Sequence, residues 1–261
     1  MFASVVLLLV SALAAQAGEN TGHNYEGSFA TVTKIGAELH HAIDKAKRDA
    51  ICAEPVLLAE HVAPCVAPGR INVDGAARNV VQVSSGFVAL INGLAHAKAI
   101  DETEPGYFKS YAARLASASD GTFPSAGADV AESKAWSFDV VNHQISLFNQ
   151  MTGAMLAIDM AHHQLGHYKK YAARLTTADG QPSAINNVLT EKEWRQAVLA
   201  GAKNALDCGL GVDGLRTLFT AFEAMPKRPE WAAYFIHAKA DVTKLNRELE
   251  RLENDFFLVD K

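Results

Sequence analysis

The sequence predicts a mainly α-helical protein with a small β-hairpin or edge sheet. Apolar residues recur every three or four positions through most of the chain, whereas apolar–polar alternation is confined to one short stretch. With 49% hydrophobic and 20% charged residues among 261, the chain has the composition of a globular protein with a genuine core. The net charge of −5 and the absence of a basic block predict no nucleic-acid partner.

The first 17 residues have the pattern of a signal peptide. An apolar run, Met1–Val10, leads to small residues that end in Ala15-Gln16-Ala17, a pattern that suits cleavage before Gly18. The run lacks a preceding basic residue, and it is shorter than the roughly 20 residues that a membrane helix needs. We therefore expect an exported protein, periplasmic or secreted, and a buried N-terminal helix is the alternative.

The sequence after the predicted signal peptide predicts a flexible N-terminus over 18–30, rich in polar residues and glycine. A single domain over 31–261 is predicted to follow it. No later segment is long and apolar enough to span a bilayer, so we expect no transmembrane segment in the mature chain.

The first predicted helix covers 31–51 and the first strands lie beyond residue 69. Three prolines between positions 55 and 68 predict an interruption in which the chain forms neither helix nor strand. Apolar alternation over 70–84, on both sides of the Asp74-Gly75 pair, predicts two strands joined by a tight turn.

Helical periodicity accounts for most of the chain after residue 86. Thr190 and Glu193 form a capping-box pattern, in which each side chain bonds the other residue's backbone N–H at the start of a helix. The predicted helices cover 87–100, 107–117, 135–175, 190–207, 213–223 and 240–256.

The three cysteines leave two alternatives open. Cys52 and Cys65 lie 13 positions apart and could close a small disulfide loop in an oxidising compartment, with Cys208 left over. The other alternative is three reduced, buried thiols. No C-x-x-C motif is present, so the cysteines predict no structural zinc site.

The strongest candidate for chemistry is the histidine pair His163 and His167. On a continuous helix these residues would lie on one face, one turn apart, and their neutral imidazoles would suit one Zn²⁺ ion. Asp159 would lie one turn earlier on that face, where its carboxylate could orient a ligand through the other ring nitrogen. His162 would point about 100° away, so we predict that it is a packing or surface residue.

Residues 163–167 read H-Q-L-G-H, and they resemble the H-E-L-G-H motif of the gluzincin metallopeptidases of the HtpX and CAAX prenyl protease type. The resemblance implies a zincin-like helical domain in which His163 and His167 bind zinc. Gln164 stands where the family has the glutamate that takes a proton from the zinc-bound water. A carboxamide cannot act as that base, and such a base usually contributes about 10²–10⁴-fold to the rate.

The resemblance also covers residues 79–88, which are similar to the family's substrate-aligning edge strand and the helix that follows it. It implies that Val81, Val83 and Ser84 lie beside an extended substrate.

The third zinc ligand implied by the resemblance is Asp207, before a glycine-rich turn, with Glu193 as the alternative. The chain departs from the family here, because Lys203 falls at the position of the family's glutamate ligand.

These observations predict an exported zinc-binding, metallopeptidase-like protein with weak or lost peptide hydrolysis, whose partner would be a peptide or protein substrate. Two alternatives remain open at this point. One is a non-enzymatic helical binding protein of the cell envelope, and the other is an active zinc endopeptidase with an unusual general base.

Overall fold

The computed structural model of the protein describes residues 27–48, 51–118, 122–175 and 182–259. The predicted signal peptide, and the predicted flexible N-terminus up to residue 26, lie outside the described residues. The described part is mainly α-helical with one small sheet, which confirms the predicted fold class.

The sheet has three strands, β1 (Ile51–Ala59), β2 (Val66–Val73) and β3 (Ala76–Ser84), in the order β1-β3-β2. Strands β2 and β3 form the predicted antiparallel hairpin, whose turn residues Asp74 and Gly75 both have positive φ. Such a turn matches the right-handed twist of the paired strands.

Strand β1 was not predicted, because Pro55 suggested an interruption. In the structure β1 is an edge strand that pairs in parallel with β3, and its register shifts between Ile51 and Val56. Proline lacks an N–H donor, and an edge strand with a bulge is where a sheet tolerates it.

The helices follow the predicted order with shifted boundaries. The helix predicted from residue 31 begins at Ser28, and the segment predicted over 135–175 is divided near residue 165. The α-helices are α1 (Ser28–Ala42), α2 (Lys45–Arg48), α3 (Ser85–Asp101), α4 (Tyr107–Leu115), α5 (Glu132–Ala135), α6 (Phe138–Gln164), α7 (His167–Tyr171), α8 (Glu191–Asp207), α9 (Asp213–Ala224) and α10 (Val242–Val259). Short 3-10 turns cover Ala172–Arg174, Ile185–Asn187 and Glu230–Tyr234.

Helix α6 is the centre of the structure. Every residue from 151 to 162 is buried, because α1, α3, α8 and α9 all pack around it. Neighbouring helices approach α6 closely at glycines. A Cβ on Gly201 of α8 would lie 2.6 Å from the backbone nitrogen of Ile158. Residues at the C-terminal end of α6 are therefore held in a fixed position against α8 and the sheet.

Among the described residues, no helix combines the length and the apolar character that crossing a bilayer requires.

We expect Gly201→Ala to destabilise the fold, because the added methyl group would meet the backbone of α6, which cannot rotate away. A loss of about 1–3 kcal/mol is typical of overpacking, and it would lower the melting temperature by about 2–4 °C per kcal/mol. Thermal unfolding followed by circular dichroism measures it. Gly211→Ala is the matched control, since its Cβ would meet nothing closer than 3.5 Å; equal losses in the two variants would contradict the prediction.

Candidate functional site

The two histidines of the H-Q-L-G-H motif do not share a helix, which corrects the prediction of a continuous helix through residue 167. Helix α6 ends at Gln164, Gly166 adopts a left-handed conformation with φ 75°, and α7 begins at His167. Glycine favours this conformation because it has no Cβ, so it ends helices in many proteins. The glycine of the motif therefore stops the helix before the second histidine.

His163 connects α6 to the central strand. Its Nε2 lies 2.9 Å from the carbonyl oxygen of Val80 in β3, and its ring packs at 4.8 Å, centroid to centroid, from Tyr168. Burial lowers the pKa of His163 to about 4, so the ring is neutral at physiological pH. Because a carbonyl oxygen only accepts, Nε2 donates the proton, so this ring could bind a metal ion through Nδ1 and not through Nε2.

His167 pairs with His162 rather than with His163. The Nδ1 atoms of His162 and His167 lie 3.1 Å apart, and both side chains are buried. One ring must donate and the other accept, so the two neutral imidazoles hold opposite tautomers. Burial lowers the pKa of both, to about 3 for His162, where the neighbouring histidines add a smaller effect.

The sequence pattern did not identify His162, which was assigned to packing or to the surface. The prediction assumed that residues 162 and 167 continue one helix, where a separation of five positions places side chains on different faces. The change of direction at Gly166 brings the two rings together instead. The glycine at position 166 was the available signal, because a left-handed glycine commonly ends a helix.

Glu193, the alternative third ligand, is occupied by three neighbouring side chains. Its carboxylate accepts from Lys170 Nζ at 2.7 Å, from the Tyr171 hydroxyl at 3.1 Å and from Thr190 Oγ1 at 2.7 Å. The backbone N–H of Thr190 completes the predicted capping box, which is confirmed. The Lys170 contact is the main cause that lowers the pKa of Glu193 to about 2.

Asp207, the preferred third ligand in the sequence, forms an ion pair within its own helix. Its carboxylate oxygens lie 2.8 and 3.0 Å from Nζ of Lys203, one turn earlier on α8. Lys203 falls at the position of a glutamate ligand in the family that the sequence resembles. It therefore binds Asp207, the carboxylate that was expected to serve as the ligand in that glutamate's place.

Gln164 is directed toward α8. Its side-chain oxygen accepts from Asn204 at 3.3 Å, while its amide nitrogen is buried without a hydrogen-bond partner. The amide that stands at the general-base position is therefore in contact with another amide.

Asp159 lies buried near the C-terminal end of α6. Burial raises its pKa well above the ordinary range, and its Oδ2 has no hydrogen-bond partner. No hydrogen bond joins this carboxyl group to His163, so Asp159 does not take the predicted role of orienting a zinc ligand. A carboxyl group in this environment is stable only while it keeps its proton.

The predicted zinc ligands are not brought together in this arrangement. Nε2 of His163 is committed to Val80, His167 begins a separate helix, and Asp207 is neutralised by Lys203. Within residues 27–48, 51–118, 122–175 and 182–259, no group of three or more histidine, cysteine, aspartate or glutamate side chains is arranged to hold a metal ion.

The strand that was predicted to lie beside a substrate is not an edge strand. Val81, Val83 and Ser84 belong to β3, which is the central strand with partners on both sides, and all three residues are buried. Ser84 instead caps α3 by accepting from the backbone N–H of Phe87 at 3.0 Å. An edge of the sheet is formed by β2, where residues 70–73 are exposed or half-buried.

Cys52 and Cys65 are free thiols in the structure, as is Cys208. The disulfide alternative is therefore not the arrangement found. Burial raises the pKa of Cys65 to about 12, so its thiol is protonated and unreactive at physiological pH.

Comparisons with protein-family models, with curated proteins and with solved structures found no match for this chain.

We expect Asp159→Asn to stabilise the protein more strongly as pH rises. In the native state Asp159 keeps its proton, whereas in the unfolded chain it ionises above about pH 3.9. Native stability therefore falls with rising pH, by at most about 1.4 kcal/mol per pH unit, until the native carboxyl ionises. Asparagine has the same shape and no proton to lose. Urea unfolding at pH 5 and pH 8 measures the difference, with Asp207→Asn as control; a gain that does not change with pH would contradict the prediction.

The His162–His167 pair should make the protein sensitive to acid. A lowered native pKa means that the stabilisation is fully present above about pH 6.5, where unfolded histidine titrates, and is lost as pH falls from there toward about 3. His162→Gln should reduce the acid slope of the unfolding free energy by up to about 1.4 kcal/mol per pH unit.

The measurement is urea unfolding between pH 7 and pH 5. His41→Gln is the control, because His41 is exposed. If the unfolding free energies of His162→Gln and His41→Gln depend on pH with the same slope, the lowered native pKa of His162 is contradicted.

Proposed function

We propose that this chain is an exported, metallopeptidase-like protein that has lost peptide hydrolysis and works by binding polypeptide. The single observation that supports it most is the break at Gly166, which places His163 on α6 and His167 on α7, where His167 pairs with His162. The two histidines of the motif are therefore not side by side on one helix, and the export rests on the signal-peptide pattern of the sequence.

The other positions of the catalytic machinery support the same proposal. Gln164 cannot accept a proton from water, and Lys203 neutralises Asp207. A hydrolytic mechanism would need another residue to take the proton from water, and Asp207 would have to leave Lys203 to bind a metal ion.

Polypeptide binding is supported by the edge of the sheet. Among the described residues, β2 pairs with β3 on one side and with no strand on the other, and residues 70–73 are exposed or half-buried. An exposed strand edge presents N–H and C=O groups at the spacing of an extended peptide, so a bound segment could add one strand to the sheet. Arg70, at the start of this accessible stretch, lies beside Tyr168 of α7, with its guanidinium carbon 6.0 Å from the ring centroid.

Zinc binding is the second candidate function, and the His162–His167 pair favours it. Two imidazole nitrogens 3.1 Å apart have a separation that suits two ligands of one ion with Zn–N distances of about 2.1 Å. The two rings also satisfy each other's hydrogen bonds without a metal, and for that reason zinc stands second.

The test uses purified protein, a fluorescently labelled polypeptide kept unfolded by reduction and carboxymethylation, and added Zn²⁺. We expect a saturable rise in fluorescence anisotropy and no zinc-dependent fragments, from the wild type and from Gln164→Glu alike. Cleavage by the wild type that a chelator abolishes and zinc restores would overturn the loss of hydrolysis. Absence of any binding would overturn the binding function.

Elemental analysis of the same preparations tests the second candidate. If the His162–His167 pair binds zinc, His162→Ala should lose the metal while His163→Ala keeps it. Loss of zinc in His163→Ala would instead restore the ligand set that the sequence motif implied.

A further inference from the structure

Arg70, on the accessible stretch of β2, lies beside Tyr168 of α7, and three further cationic residues follow Tyr168 along the chain. We call these four cationic residues, one on β2 and three on α7 and the 3-10 turn that follows, the α7 basic surface: Arg70, Lys169, Lys170 and Arg174. All four are exposed, on a chain whose net charge is −5.

The aromatic residues of α7 contact three of these four cations. The guanidinium carbon of Arg174 lies 5.8 Å from the centroid of the Tyr171 ring, and Lys170 Nζ lies 4.8 Å from the same centroid. Arg70 is positioned by the Tyr168 ring and by a 3.2 Å hydrogen bond from its Nε to Asn79. Cations held in this way lose less side-chain freedom when they meet an anionic partner.

The charges of the surface are largely uncompensated. Within the described part of the chain, Glu193 is the carboxylate that pairs with this surface, through Lys170, and Arg70, Lys169 and Arg174 form no ion pair there. A concentration of like charge on an otherwise acidic protein attracts an anionic partner and repels a basic one.

We propose that the α7 basic surface selects acidic polypeptide segments and aligns them along the edge of β2. The inference rests on the proposed polypeptide-binding function and adds the partner's chemical class to it. A polypeptide is the partner that fits, because the strand edge offers backbone donors and acceptors that only a peptide backbone matches at that spacing. Carboxylate side chains on alternate residues of the added strand would face Arg70 and α7.

The experiment measures binding of an extended peptide with alternating glutamates, beside a peptide of the same length with glutamines in their place. Wild-type protein should bind the acidic peptide at least about tenfold more tightly at low salt, since each exposed ion pair contributes up to about fivefold and several act together. The preference should shrink at high salt because exposed charges are screened.

The variant Lys169→Gln/Arg174→Gln should lose most of that preference while retaining the affinity for the glutamine peptide, because neither residue lies on β2. Lys227→Gln/Lys244→Gln removes two exposed lysines from other elements and serves as the matched control. Equal binding of both peptides by the wild type would overturn the acidic selectivity and leave the proposed function standing. Failure to bind either peptide would overturn the proposed function itself.

Two further measurements examine the strand edge and the class of partner. Peptides N-methylated on odd or on even positions lose alternate N–H donors, and strand addition predicts that only one of the two loses binding. Equal effects of both methylation patterns would overturn alignment along β2. Binding to vesicles rich in anionic phospholipid that depends on Lys169 and Arg174, without binding of the acidic peptide, would replace the polypeptide by a membrane surface.

Discussion

Complete burial of the middle of α6 is the constraint on which the rest of the structure depends. Four helices enclose residues 151–162, and glycines on α8 and α9 let the neighbouring backbones come close enough to exclude water. A polar group placed there has no solvent to compensate it. Each one must therefore be neutral, be paired within the protein, or cost stability.

The titratable residues of α6 follow from that constraint. Asp159 is driven to keep its proton, and His162 and His163 are driven to lose theirs, so the helix carries almost no net charge in its buried part. The two histidines then find acceptors or donors where the helix meets its neighbours, at Val80 of β3 and at His167. The burial that keeps these imidazoles neutral also supplies a protein partner for one nitrogen of each ring.

A motif that resembles a metallopeptidase signature thus forms a different kind of site. In the family the signature implies, two histidines and a glutamate converge on one ion. In this chain the first histidine attaches to the sheet, the amide of Gln164 meets Asn204, and Asp207 meets Lys203. The proposed binding function rests instead on the accessible stretch of β2, where Arg70 lies beside Tyr168 of α7.

The sequence by itself determined the fold class, the helix order, the β2–β3 hairpin and the capping box of Thr190 and Glu193. These features depend on local periodicity, on a two-residue turn and on side chains three positions apart, so the information lies within a few residues of each one. The sequence also identified Gln164 as unable to serve as a base, because that conclusion needs only the chemistry of an amide.

Only the tertiary structure decided which histidines meet and which strand is central. His167 pairs with His162 and not with His163 because the chain changes direction at Gly166. Strand β3 is central because β1 pairs with it, and β1 was not predicted because Pro55 suggested an interruption. The partners of Asp207 and Glu193 likewise depend on how α7 and α8 are placed. Contacts between residues distant in the chain are set by packing, and the spacing of residues within a motif does not predict packing.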